Sequence, residues 1–89
     1  MSRFGNFNAL EREAIDRILE GVRVNTLPSE LVDQLIKKHV LEDFEGSYIV
    51  PALVWDQWRI FKAETGWKQS NLSDAEFIQS LGETYADLR

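Results

Sequence analysis

The sequence predicts a mostly helical α+β fold: about four helices, with one short β-hairpin between the second and the third. Apolar residues recur at helical spacing in four segments, and a run of alternating residues is centred on a Glu-Gly turn. The chain has 89 residues and no cysteine. That length has room for one compact domain, residues 1–89, which can fold without disulfides.

The first helix is predicted from a capping box. Asn8 serves as the N-cap and Glu11 follows three residues later, so each side chain can accept from a free backbone N–H. Gly21 is the expected stop, and Val22 to Val24 can be either a linker or a third strand. The apolar face holds Leu10, Ala14, Ile15, Ile18 and Leu19, and the polar face holds Arg12, Glu13, Asp16, Arg17 and Glu20.

The second helix opens at Pro28, whose fixed φ suits a first helical turn. Its buried stripe is formed by Leu31, Val32, Leu35 and Ile36, and we expect His39 to pack at the end of that stripe. Extending the helix would place Val40 and Leu41 on its polar side, so the helical spacing of apolar residues must end near His39. The sequence then predicts a strand at Val40 to Phe44, a turn at Glu45–Gly46 and a returning strand at Ser47 to Val50.

The third helix begins at Pro51 and runs to about Thr65, with Gly66 as its stop and Trp67 packing back on Phe61. The fourth helix begins with a second capping box, Ser73 with Glu76. The predicted buried arc of the third helix is Leu53, Val54, Trp58, Ile60 and Phe61, and that of the fourth is Phe77, Ile78, Leu81, Tyr85 and Leu88.

Composition and motifs argue against an enzyme. The absence of cysteine removes thiolate zinc sites and cysteine nucleophiles and fits a reducing, cytoplasmic location. His39 is the single histidine and has no partner nucleophile, and Glu42, Asp43 and Glu45 do not have the spacing of a calcium loop. We therefore expect no catalytic site, no cofactor and no metal site. No leader segment or membrane span is visible.

The candidate binding residues form two patches. Trp55 falls in the polar wedge of the third helix beside Arg59 and Lys62, a composition typical of binding hot spots. The alternative is that Trp55 packs on the hairpin, at Tyr48 or Phe44. The second patch is the acidic hairpin, with Glu42, Asp43, Glu45 and Tyr48.

Small size, acidity and the lack of catalytic groups favour a module that regulates or inhibits another protein, such as an antitoxin, an immunity protein or a phage-encoded inhibitor. The net charge is −5, which disfavours nucleic acid as a partner and favours a protein partner with a basic surface. The sequence is also compatible with a homodimer.

The segment Leu31 to Val50, LVDQLIKKHV followed by LEDFEGSYIV, resembles the last helix and wing of winged-helix DNA-binding domains. The resemblance implies an alternative function, a nucleic-acid-binding transcriptional regulator that uses Lys37 and Lys38. One clear helix lies between Gly21 and the hairpin, however, where a helix-turn-helix needs two. The stretch DRILEG, Asp16 to Gly21, is similar to the inhibitory helix of small antitoxins that block Fic-domain toxins. In those antitoxins the motif begins with Ser or Thr, where this chain has Asp16.

Overall fold

The computed structural model describes residues 3–86 and confirms the predicted α+β fold. Within that range, four α-helices and two short 3-10 helices accompany one antiparallel hairpin. The 3-10 helices are Arg3–Asn6 and Val24–Thr26, the α-helices are α1 (Ala9–Leu19), α2 (Ser29–Lys37), α3 (Ala52–Thr65) and α4 (Asp74–Ala86), and the strands are β1 (Glu42–Phe44) and β2 (Ser47–Ile49).

Both predicted capping boxes are present. The backbone N–H of Glu11 donates to Asn8 Oδ1 at 2.8 Å, and the N–H of Asn8 donates to Glu11 Oε1 at 2.9 Å. Ser73 and Glu76 repeat the arrangement at the start of α4, at 2.9 and 3.2 Å. Local chemistry therefore determines where these two helices begin.

The end of α2 corrects two predictions. His39 is exposed and left-handed, with φ of 64°. Its N–H donates to Ile36 O and that of Val40 to Leu35 O, both at 3.0 Å, which is the Schellman pattern. The prediction of a packed His39 is wrong, because His39 supplies the left-handed turn that lets Val40 enter the core. The strand begins only at Glu42, since Val40 and Leu41 are buried before the chain becomes extended.

The hairpin turn is tight. Phe44 lies opposite Ser47, so the turn consists of Glu45 and Gly46, with φ of 50° and 83°. Two positive φ values are what a type I′ turn requires. In the described residues the sheet has two strands, and Val24 belongs to a 3-10 helix. Val22 to Val24 therefore does not form a third strand.

The buried side chains of all four helices meet in one cluster. In α3 the buried arc is narrower than predicted, because Leu53 is 62% and Ile60 49% exposed. Trp67 packs edge-on against Trp58, with ring centroids 5.0 Å apart. Leu88 lies outside the described residues. The centre of the cluster includes Phe4, Leu31, Leu35, Val54, Trp58, Phe77 and Leu81.

Two residues of the polar face of α1, Asp16 and Arg17, are buried by other parts of the chain. Arg17 is 2% exposed; its guanidinium donates to Asp74 Oδ1 at 2.7 Å and to Leu72 O at 2.8 Å, and it pairs with Glu13. It also lies 4.8 Å from the ring centroid of Phe77. Although burial opposes the charge, the hydrogen bonds from Arg17 to Asp74 and Glu13 raise its pKa. Arg17 thus joins α1 to the start of α4.

Candidate functional site

Trp55 lies at the surface between two clefts. It occupies the first turn of α3, which begins directly after Pro51. The neighbouring Val54 and Trp58 are each 1% exposed, whereas Trp55 keeps 49% of its surface exposed. The helix therefore turns its apolar arc into the core and leaves one large aromatic side chain at the border of that arc.

The first cleft, called the strand cleft, lies between residues 21–25 and residues 46–50 and has a volume of about 650 Å³. Ile18 and Trp55 complete its lining. Tyr48 is part of one wall, so Trp55 and Tyr48 border the same space. Among the described residues that line this cleft, Arg23 is the one with a charge.

The strand cleft follows the edge of β2 rather than a face. Side chains of a strand alternate between its faces, so a cleft lined by five consecutive residues, Gly46 to Val50, runs along the edge. Beside a two-residue turn, Phe44 and Ser47 form the hydrogen-bonded pair, and Asp43 with Tyr48 is the next, non-hydrogen-bonded pair. The N–H and C=O of Tyr48 consequently point away from β1, towards the cleft.

The second cleft, called the helix cleft, lies between α1 and α3 and measures about 330 Å³. Trp55 and Arg59 line it on the α3 side, and Leu19 and Glu20 on the α1 side. The Arg59 side chain is 75% exposed and meets Asp56 at 3.7 Å. Trp55 and Arg59 therefore form the accessible part of the predicted first patch.

Lys62, the third residue of that patch, is held by a buried carboxylate. Its Nζ donates to Asp16 Oδ1 at 2.8 Å. The same oxygen accepts from Trp58 Nε1 at 2.7 Å, and Oδ2 accepts from Gln69 Nε2 at 2.7 Å. Burial raises the pKa of Asp16, but the hydrogen bonds from Lys62, Trp58 and Gln69 hold it below its ordinary value. The charge of Lys62 is thus paired with that of a buried carboxylate, and both residues line the helix cleft.

The Asp16 network was missed by sequence reasoning. The one available signal was Trp58, because a buried indole N–H needs an acceptor. Nothing in the sequence assigns that acceptor to Asp16, forty-two residues away.

The predicted acidic patch is divided over the hairpin. Glu42 pairs with Ile49, and Asp43 with Tyr48, so the two carboxylates project from opposite faces. Glu45 lies in the turn. All of these residues are exposed, but of the four residues in the predicted acidic patch, only Tyr48 lines the strand cleft.

The two lysines of the nucleic-acid alternative differ in their surroundings. Lys38 Nζ donates to Glu11 Oε1 at 2.9 Å and to Asn6 O at 3.3 Å, and lies 4.6 Å from the Phe7 ring centroid. Lys37 is exposed. One of the two cations is therefore part of the packing of α1 and α2.

Residues 3–86 contain no group of three or more His, Asp or Glu side chains placed to hold a metal ion. In the same range, no helix has the length and apolarity needed to cross a membrane. No family model matches the chain, and comparisons with curated proteins and with solved structures give no significant match. The geometry of the two clefts is therefore the basis for a functional proposal.

Proposed function

We propose that this protein is a small non-enzymatic binding module that regulates or inhibits another protein, in the manner of an antitoxin, an immunity protein or a phage-encoded inhibitor. The observation that carries the proposal is the position of Trp55, half exposed where the strand cleft and the helix cleft meet. A partner that fills either cleft covers this indole.

In this proposal, Trp55 and Arg59 supply binding energy. Covering a large apolar side chain contributes about 1.5–3 kcal/mol, and Trp and Arg are enriched among hot spots. The exposed contact of Arg59 with Asp56 at 3.7 Å is of a kind worth about 0–1 kcal/mol. Arg59 can exchange it for a partner's carboxylate at little cost.

The charge of the molecule favours a protein partner with a basic surface. The net charge is −5, and the three carboxylates of the hairpin, Glu42, Asp43 and Glu45, are exposed. Charges at the rim of an interface accelerate association more than they increase affinity. We assign the acidic hairpin to this guiding role, and we place the protein in the reducing cytoplasm, where its lack of cysteine is typical.

Nucleic acid is the less favoured partner. Lys38 is engaged by Glu11, which leaves Lys37 as the accessible cation of the predicted pair. Affinity for nucleic acid depends on the number of phosphates that are neutralised. A single lysine on an acidic protein neutralises few phosphates and therefore contributes little affinity for nucleic acid.

Affinity capture tests the proposal. The tagged protein is incubated with nuclease-treated lysate of the cells that produce it, beside the variants Trp55→Ala and Leu53→Ala. Leu53 is the matched control, since it is an apolar residue on α3 that is 62% exposed and lines neither cleft. We expect one stoichiometric protein partner that Leu53→Ala retains and that Trp55→Ala binds about 30-fold more weakly, the size of a hot-spot effect.

Two results would contradict the proposal. One is a partner that Trp55→Ala binds as well as the wild type does. The other is recovery of nucleic acid alone when nuclease is omitted, in a complex that Lys37→Ala weakens.

A further inference from the structure

We infer that the strand cleft binds an extended peptide segment of the partner protein, which adds to β2 as a third strand and places an acidic side chain beside Arg23. The inference rests on the proposed function and names the manner of binding at the same site. Strand addition is a common mode of peptide recognition, in which main-chain hydrogen bonds give affinity and side-chain contacts give specificity.

Within residues 3–86, β2 has one edge that no other strand covers. Tyr48 directs its N–H and C=O away from β1, and the described residues contain no third strand to receive them. The opposite wall, residues 21–25, is separated from β2 by the cleft itself. The three residues of β2, Ser47–Ile49, span roughly 10 Å, so this edge can pair with a peptide segment of about the same length.

The two strands of the hairpin differ in charge. Natural proteins place charged side chains on edge strands, and these charges prevent unwanted strand pairing. Two of the three residues in β1, Glu42 and Asp43, are acidic, whereas β2 reads Ser-Tyr-Ile and carries no charge. The hairpin therefore protects one edge and leaves the other free to pair.

The residues that line the strand cleft define the chemistry of the peptide it can bind. Arg23 is exposed, and no ion pair within residues 3–86 occupies it. Ile18 and Trp55 supply apolar surface in the same cleft. Glu45 lies next to the cleft-lining Gly46, at one end of the cleft. These groups select a peptide with apolar residues, an acidic residue opposite Arg23 and a basic residue near Glu45.

The probe is a displayed library of random ten-residue peptides selected on the wild-type protein. Enriched peptides are synthesised and their affinities are measured against the wild type, Arg23→Glu and Lys37→Glu. Both variants change the net charge equally, but Lys37 lies on α2, outside the strand cleft. We expect Arg23→Glu to weaken binding at least tenfold and Lys37→Glu to leave it within twofold.

A scan of N-methyl groups along the best peptide tests the main-chain pairing without altering the protein. In a strand added to β2, N–H groups of alternate peptide residues donate to the strand edge, as to Tyr48 O. N-methylation at those positions is expected to weaken binding at least tenfold, and at the positions between them to have little effect.

The inference is overturned if no peptide is enriched, if enriched peptides bind Arg23→Glu as tightly as the wild type, or if N-methylation is tolerated at every position. Self-association that Arg23→Glu abolishes, without peptide binding, would also overturn it and place a second copy in the cleft. The two proposals can fail separately. A Trp55-dependent partner without peptide selection removes strand addition alone. Peptide selection without a Trp55-dependent partner removes the proposed function, and with it the partner protein as the source of the peptide, but keeps strand addition as the way the cleft binds peptides.

Discussion

Asp16 shows how one buried carboxylate links α1 to α3 and to the segment that precedes α4. It is 4% exposed and accepts hydrogen bonds from Trp58, Lys62 and Gln69. We predict that Asp16→Asn lowers the free energy of unfolding by about 2 kcal/mol, since bonds to a charged acceptor contribute about 1.5–3 kcal/mol each and the amide keeps only part of them. Urea denaturation measures this loss. Asp56→Asn, at a carboxylate with a 69% exposed side chain, should change stability by less than ~0.5 kcal/mol.

The stabilisation by Asp16 depends on pH. Its pKa is lowered in the folded protein, so the carboxylate favours the folded state at every pH above its unfolded pKa, about 3.9. That contribution disappears as the pH falls through the folded pKa. The stability difference between wild type and Asp16→Asn is therefore expected to be full at pH 7 and to shrink below about pH 4. A difference that is the same at pH 7 and pH 3 would contradict the role given to this carboxylate.

His39 carries backbone strain that glycine would relieve. A left-handed conformation costs a residue with a side chain roughly 1–2 kcal/mol, and His39 has φ of 64°. Because glycine also makes the unfolded chain more flexible, we predict that His39→Gly stabilises the protein by about 0.5–1 kcal/mol. Thermal unfolding should show a higher Tm for His39→Gly and no increase in Tm for His39→Ala. A lower Tm for the glycine variant would show that the imidazole has a structural role.

At the level of elements, the β-hairpin depends on a turn that its sequence only partly favours. Glu45 has φ of 50°, at a position of the type I′ turn where Asn is preferred. Glu45→Asn is expected to stabilise the protein by ~0.5 kcal/mol, as measured by urea denaturation. Glu45→Gln removes the same charge without favouring the turn and should show no gain. Equal stabilisation by both variants would assign the effect to charge instead.

The starts of α1 and α4 could be predicted from the sequence because their signals are local. Asn8 with Glu11, and Ser73 with Glu76, each satisfy the backbone of their own helix. The exposed faces could not be predicted in the same way. Helical spacing alone places Leu53 in the buried arc and Arg17 outside it. Within residues 3–86, however, no neighbouring element covers Leu53, whereas the segment before α4 covers Arg17. Long-range packing determines those outcomes.

At the scale of the whole molecule, the candidate site combines Trp55, which the sequence indicates, with the strand cleft, which the sequence does not indicate. Helical spacing places Trp55 in the polar wedge of α3, and Trp55 is half exposed there. The strand cleft depends on the separation of residues 21–25 from β2, for which helical and strand periodicity give no signal. The proposal that Trp55 binds a partner therefore joins a sequence prediction to a tertiary arrangement.

The most direct test of that proposal observes Trp55 during binding. The chain has three tryptophans, so protein labelled with 5-fluorotryptophan gives three fluorine resonances, which single Trp→Phe variants assign. When the captured partner is added, we predict that the Trp55 resonance shifts, whereas that of Trp58, which is buried and bonded to Asp16 at 2.7 Å, keeps its position. A saturated complex in which the Trp55 resonance does not move would contradict the account and place the binding surface elsewhere.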